Sequence, residues 1–396
     1  MNLPPIHISE YDYPLRDEQI AKYPLEKRSA SKLLYYKNGQ IEHKMFKDLP
    51  SLLPKDSLLV FNDTKVIEAR LIFKKESGTK IEIFLLNPAD HSNSTLVLQT
   101  KKESVWECMI GNKKRWKQDD ILELKNDHFN IKTSWEDREK NFVKFSFTGE
   151  ATLSDYVKTF GSLPIPPYLN RPTEKIDLTR YQTSFANAEG SVAAPTASLH
   201  FDDEMRTELN AKGIQQRFLT LHVGAGTFKP VSTDNALEHS MHAEYIVFTR
   251  EMIEDLLKHP GPIIPVGTTS LRSLESLYWL GVGLKNNVLS NFNIEQYFPY
   301  QHSNEKISKE ESLATILKWM DENQMKTLEG NSSIYIVPGY ESKMVNGIVT
   351  NFHQPQSTLL LLVSALIGND WKKVYEIAME NNYRFLSYGD SSLLLF

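Results

Sequence analysis

Short apolar runs, each cut off by turn-forming residues, organise this chain of 396 residues. The first sixty mix turns with brief hydrophobic stretches and close on Ser57-Leu58-Leu59-Val60-Phe61, the pattern of a buried strand. Asn62-Asp63-Thr64 then breaks it with side chains that favour turns. From 69 to 148 the texture changes to alternating runs at 70–74, 80–86, 95–99, 105–110, 121–124, 129–131 and 142–147, separated by polar turns. Strands so short and so regularly spaced predict an antiparallel β-domain, a small barrel. Between 151 and 160 the spacing becomes helical, with Leu153, Tyr156, Val157 and Phe160 on one face and Gly161 as the stop. Leu163-Pro164-Ile165-Pro166-Pro167-Tyr168 must be extended, because proline excludes helix at and before itself.

Beyond Tyr181 the rhythm is strand, glycine-rich turn, helix. Apolar runs at 217–223, 262–266, 334–337 and 347–350 lead into Gly224-Ala225-Gly226, Gly267-Thr268-Thr269-Ser270, Pro338-Gly339 and Asn351-Phe352-His353. Strands alternating with helices predict a mostly parallel sheet. The expected architecture is therefore α/β. A larger α/β catalytic domain is formed discontinuously by residues 1–61 and 150–396, and residues 62–149 form an inserted antiparallel β-barrel domain. The stretch 281–331, with a helical core at 313–320, reads as a surface elaboration.

Composition narrows the class without naming an activity. A 40% hydrophobic and 24% charged content is ordinary for a globular protein. One cysteine, Cys108, allows no internal disulfide and no thiolate cluster, which fits a reducing compartment. The start shows no basic region followed by an apolar stretch, and the longest apolar run, 359–367, falls far short of the ~20 residues that cross a bilayer. A cytoplasmic protein without a membrane partner is expected. A net charge of -5 leaves room for a local basic patch holding RNA.

Ligands of open α/β sheets bind outside the carboxyl ends of strands, and those ends carry the unusual residues. His222 beside Gly224 and Gly226 lets a ligand approach bare backbone, although a plain tight turn has the same pattern. Gly267, Thr268 and Thr269 at a helix start, with Arg272 one turn in, make an anion site; simple capping is the bland alternative. His239, His242 and Glu244 have metal-like spacing, but no Cys or second His pair supports a metal, and none is expected. His353 and the Tyr388-Gly389-Asp390 turn complete the polar inventory. In the barrel, Trp106 and the basic run Lys113, Lys114, Arg115, Trp116, Lys117 place cations and indoles around a hairpin, where phosphates and bases would meet them. Trp106 reads better as barrel core.

Taken together, Ala21-Lys22-Tyr23-Pro24, Arg28-Ser29, Phe61-Asn62-Asp63-Thr64-Lys65-Val66, Pro166-Pro167-Tyr168, Tyr181-Gln182-Thr183 and Val192-Ala193-Ala194-Pro195-Thr196-Ala197 form the first half of a recognisable series. It continues through Thr220-Leu221-His222-Val223-Gly224-Ala225-Gly226-Thr227-Phe228, Met241-His242, Val266-Gly267-Thr268-Thr269-Ser270, Thr350-Asn351-Phe352-His353 and Tyr388-Gly389-Asp390. In that order these words resemble the S-adenosylmethionine:tRNA ribosyltransferase-isomerase family of queuosine biosynthesis. The resemblance implies transfer and isomerisation of the ribosyl moiety of S-adenosylmethionine onto 7-aminomethyl-7-deazaguanine at the anticodon wobble position. Epoxyqueuosine forms, and adenine and methionine leave. It also implies S-adenosylmethionine as co-substrate without a prosthetic group, a tRNA anticodon stem-loop as partner, and a monomer. Ser198 and Asn346 stand where the family pattern has glycine and aspartate, Glu68 replaces a proline, and 281–331 is longer than usual.

Such a reaction needs a base for the acidic C5′ hydrogens beside the sulfonium and an acid for departing adenine. Histidine, with an unperturbed pKa of ~6.5, suits either role. His222, then His242 and His200, are the acid–base candidates. Asp63 would pair with the aminomethyl cation, with Asp390 as alternative, while Arg272 and the Thr268 and Thr269 amides would bind a carboxylate or phosphate. Two other classes stay open: an enzyme acting on a free nucleoside or base, and a non-catalytic tRNA-binding protein.

Overall fold

In the computed structural model, residues 3–90, 92–224, 231–305 and 307–396 are described. A mixed sheet runs through the body in the spatial order Gln40–Met45, Lys32–Lys37, Ser391–Leu395, Gly347–Asn351, Ile263–Pro265, Leu58–Asn62, Gln215–Leu221, Glu244–Thr249, Thr327–Ser332 and Phe292–Ile294. A single parallel bridge, Val266 to Val349, joins its two halves. Strict alternation builds the layers on either side: Leu58, Val60, Ile263 and Ile348 enter one apolar core, and Leu59, Phe61, Ile264 and Val349 enter the other. Helix Thr268–Lys285 is buried over nearly its whole length and packs against helix Lys309–Glu322.

The expected parallel pairing is present, Phe292–Ile294 with Thr327–Ser332 included, but within a mixed sheet. Lys32–Lys37 with Ser391–Leu395, and Leu58–Asn62 with both of its neighbours, are parallel. Glu244–Thr249 runs antiparallel to both of its neighbours, and Gly347–Asn351 runs antiparallel to Ser391–Leu395. Apolar periodicity reports burial and says nothing of strand direction. The stretch 281–331 is likewise no surface elaboration. Its strands Phe292–Ile294 and Thr327–Ser332 extend the sheet, and Leu313, Ile316 and Met320 are fully buried. The strand expected at 334–337 is extended, buried backbone outside any ladder.

The seven-stranded antiparallel sheet has the order Gly161–Ser162, Arg70–Lys74, Lys80–Pro88, Glu103–Gly111, Phe142–Phe147, Asn130–Asp137 and Leu122–Lys125. It curls until Leu122–Lys125 lies against Arg70–Lys74 without ladder pairing, so the barrel is incompletely closed. Trp106 is wholly buried in its core, and Trp116 packs on Trp135 at 4.1 Å. The run 95–99 is not a strand: Asn93 accepts the Thr95 N–H and caps a short helix, Ser94–Leu98. Helix Leu153–Phe160 adds Leu153, Tyr156 and Val157 to the barrel's apolar core, so that core extends past residue 149.

Candidate active site

Two cavities lie at the carboxyl ends of the body's strands, the larger between body and barrel and the smaller within the body. The larger, about 790 Å³, is walled by Phe84, Met109, Asn141 and the Arg70–Glu82 pair from the barrel, and by Pro166, Pro167, Arg171, Gly224 and His242 from the body. The smaller, about 80 Å³, is walled by Tyr168, Tyr181, Ala193, Val223, Gly267, Thr268, Thr269, Phe352 and His353. Val223 faces the small cavity and Gly224 the large one; Tyr168 and Pro167 divide in the same way. Neighbouring Cα atoms are ~3.8 Å apart, so at two places a single residue step separates the spaces.

Of the nominated histidines, His242 lines the large cavity and is exposed there. His222 is buried and clamped. Its Nε2 lies 3.2 Å from Thr95 Oγ1, which itself donates to the Glu189 carbonyl, and its Nδ1 lies 2.9 Å from Thr64 Oγ1. The Thr95 proton is committed and the Ala188 carbonyl, the other acceptor for Thr64 Oγ1, is farther away at 3.4 Å, an arrangement that favours the imidazole proton on Nε2 with Nδ1 accepting from Thr64. Burial pushes its pKa down to about 4, and the neutral ring pins the barrel to the body. Gly190, at φ +148°, leaves the necessary room: a Cβ there would sit 2.8 Å from His222 Cε1.

His200 is similar, with Ser31 Oγ and Asn351 Oδ1 each 2.9 Å from a ring nitrogen and burial lowering its pKa to about 4. His353 does line the small cavity. Its Nε2 pairs with Thr350 Oγ1 at 3.0 Å, its backbone N–H donates to the Tyr375 hydroxyl, and burial lowers its pKa to about 3.

Other nominated side chains are turned to structural use. Arg272 donates to Glu244 Oε2 at 2.6 Å and to the Ile334 carbonyl, so its guanidinium points away from the helix start it was expected to serve. The same pairing removes Glu244 from any metal set with His239 and His242. Asp63 accepts from Thr220 Oγ1 at 2.7 Å, with burial raising its pKa. Asp390 accepts the Lys32 and Arg384 amides, and Tyr388 donates to buried Asp177. These groups fasten chain segments together because each already has its partner. Gly226 lies outside the described residues.

The helix start itself is open. Gly267, at φ +92°, sits at the N-cap with no side-chain capping bond, and Thr268 and Thr269 face the small cavity. Such a terminus attracts anions. The basic turn stands at the rim of the large cavity. Lys113 Nζ donates to Asn141 Oδ1 at 2.6 Å, and Asn141 is part of the cavity wall. Lys114, Arg115 and Lys117 are exposed, with Arg138 close by over Trp135. Arg70, Glu82, Asn141 and Arg171 were missed in the sequence: the first two are charges on barrel strands that look like any solvated face, and the other two sit in a turn and a bend like any other polar loop residue. Of the departures from the family pattern, Ser198 is fully buried with an unpartnered hydroxyl, and Asn346 accepts the Ile263 amide; neither is part of either cavity wall.

A family model described as queuosine biosynthesis protein matches residues 8–394. The chain is 38% identical to an S-adenosylmethionine:tRNA ribosyltransferase-isomerase of Psychrobacter cryohalolentis, over 98% of this chain and 92% of the relative. It is 36% identical to one from Sulfurihydrogenibium sp., over 98% and 99%. Among solved structures, an S-adenosylmethionine tRNA ribosyltransferase of Thermotoga maritima is 25% identical with a TM-score of 0.47, covering 98% of this chain and all of that one. With the match running almost end to end, the chain belongs to the queuosine biosynthesis protein family.

Proposed function

We propose that this enzyme is an S-adenosylmethionine:tRNA ribosyltransferase-isomerase. It moves the ribosyl group of S-adenosylmethionine onto 7-aminomethyl-7-deazaguanine in the tRNA wobble position, with isomerisation to epoxyqueuosine and release of adenine and methionine. Beyond kinship, the observation that carries this reading is the placing of the 790 Å³ cavity beside a basic rim. Phosphates of an anticodon stem-loop would be held by Lys113, Lys114, Arg115 and Lys117 while a splayed base enters the cavity.

His242 is the nominated histidine within reach of that cavity, beside the Glu82 and Glu107 carboxyls that also line it, and Gly224 gives the substrate access to backbone. His222 and His200 act as positioning residues, since both ring nitrogens of each are engaged. The sulfonium acidifies the C5′ hydrogens and makes methionine a neutral leaving group, so the protein's work is proton transfer and alignment. The test is direct. Protein, tRNA carrying the aminomethyl base, and S-adenosylmethionine are incubated, the RNA is digested and its nucleosides are weighed. Epoxyqueuosine with stoichiometric adenine is expected. Turnover of the free base but not of the tRNA, or tRNA binding without adenine release, would replace the proposal. His242→Gln is expected to slow adenine release at least tenfold.

A further inference from the structure

The large cavity carries one carboxylate that the protein leaves without a counter-ion. Along strand Glu103–Gly111 the alternation sends Trp106 and Cys108 into the barrel core and turns Glu107 and Met109 outwards, onto the cavity wall. Met109 stands opposite Phe84 on one neighbouring strand, and Glu107 stands opposite Phe142 on the other. The wall's remaining charged groups are matched. Arg70 pairs with Glu82, and Arg171 makes a two-pronged pair with Asp177 at 2.7 Å. Lys140, whose ammonium sits over the Phe142 ring, pairs with Asp137. Among the described residues no side chain pairs with the half-buried Glu107 carboxylate or donates a hydrogen bond to it.

We infer that Glu107 receives the cationic aminomethyl group of the wobble base and so selects that base over an unmodified guanine. The inference rests on the function proposed above. An unmatched carboxylate in a cavity wall favours a cation with N–H groups to donate, because a charge-assisted bond is roughly twice as strong as a neutral one. The reaction brings a sulfonium, which has no N–H, and two ammonium groups, one on the amino acid and one on the base. Two observations choose the base. Glu107 belongs to the barrel beside the basic rim: the Cys108 N–H donates to the Asn141 carbonyl, and Lys113 holds the Asn141 side chain. An RNA loop lying on that rim delivers its splayed base to this strand. Phe84, Leu86 and Met109 also give the wall an apolar floor for the flat face of a deazapurine. Two residues along a strand span about 6.8 Å, so a base resting on Met109 has Glu107 within reach of its one-carbon arm.

Glu107→Gln tests this, because it keeps the shape of the side chain and removes the charge. Equilibrium binding is measured for tRNA carrying the aminomethyl base and for the same tRNA with guanine in its place, together with KM for S-adenosylmethionine and melting temperature. The wild type is expected to bind the aminomethyl tRNA at least tenfold more tightly. Glu107→Gln should lose most of that preference, with affinity for the guanine tRNA and KM for S-adenosylmethionine unchanged. It should melt with the wild type, since the side chain has no protein partner to lose. Glu107→Asp, which keeps the charge, should keep part of the preference. A wild type without the preference, or a Gln variant that retains it, overturns the inference. So does a rise in KM for S-adenosylmethionine with the preference intact, which assigns the carboxylate to the amino-acid ammonium instead. These outcomes leave the proposed function standing, whereas absence of adenine release by the wild type overturns both.

Discussion

Mild acid should weaken this fold well before its carboxylates titrate in bulk. His200 and His222 are 5% and 4% exposed, and burial holds each near a pKa of about 4. In the unfolded chain both return to ~6.5. A histidine whose folded pKa is depressed stays neutral in the native state while the unfolded state takes up protons. Stability is therefore complete above pH 6.5 and falls as the pH drops towards 4. At pH 5 the unfolded form is about 1.5 units below its pKa, and at ~1.36 kcal/mol per unit each histidine withdraws about 2 kcal/mol. The pair withdraws about 4 kcal/mol from a typical total of ~5–15. Burial raises the pKa of Asp63, Asp390 and Glu275, and these groups work in the opposite sense, while His353, held at about 3, and His259, also lowered by burial, add to the loss. At Glu189 burial is outweighed by Lys158, Ser154 and Lys65, and its pKa falls to about 2, so its contribution is lost only below the usual carboxylate range. Urea unfolding followed by tryptophan fluorescence from pH 7.5 to 5 measures the slope. His222→Gln should lower the overall stability and remove about 2 kcal/mol of the pH dependence. A free energy of unfolding flat to within about 1 kcal/mol over that range, or a variant with the full slope, would refute the assignment of these rings as buried and neutral.

Removing Arg272 as alanine strands the buried Glu244 carboxylate and should cost about 3–5 kcal/mol in chemical unfolding; pairing it with Glu244→Gln should recover part of the loss. Neutralising Lys114, Arg115 and Lys117 together should weaken tRNA binding and reduce the slope of log K against log salt by about 2–3, read from binding isotherms at several salt concentrations. Ser198→Ala removes a fully buried, unpartnered hydroxyl and should raise the melting temperature, worth about 1 kcal/mol.

The alternation and turn chemistry of the chain foretold the elements that place the site. Strand Leu58–Asn62, the turn after Leu221, the Gly267 helix start and the strand ending at Asn351 all lie within two or three residues of their expected positions. What stayed hidden was anything set by partners distant in sequence. The imidazole of His222 is held by Thr64 and Thr95, 158 and 127 residues earlier, and no local pattern announces that meeting. Arg272 looked like an anion ligand because a helix start lay one turn away, yet Glu244 and the Ile334 carbonyl take its donors. Strand direction was hidden for the same reason, since Glu244–Thr249 finds antiparallel neighbours through connections that apolar spacing does not encode.

These cases share one cause. Histidine, arginine and aspartate attract attention in a sequence because they can do chemistry, but a folding chain satisfies such groups first, since an unpaired buried charge or imidazole is costly. His200, His222, Arg272, Asp63 and Asp390 all found partners within the protein and so became fasteners. The satisfaction is not complete, since single nitrogens of Arg138 and Arg180, the Trp135 indole N–H and the hydroxyls of Thr183 and Ser198 stay buried without a partner, but none of these was among the groups that drew notice as chemistry.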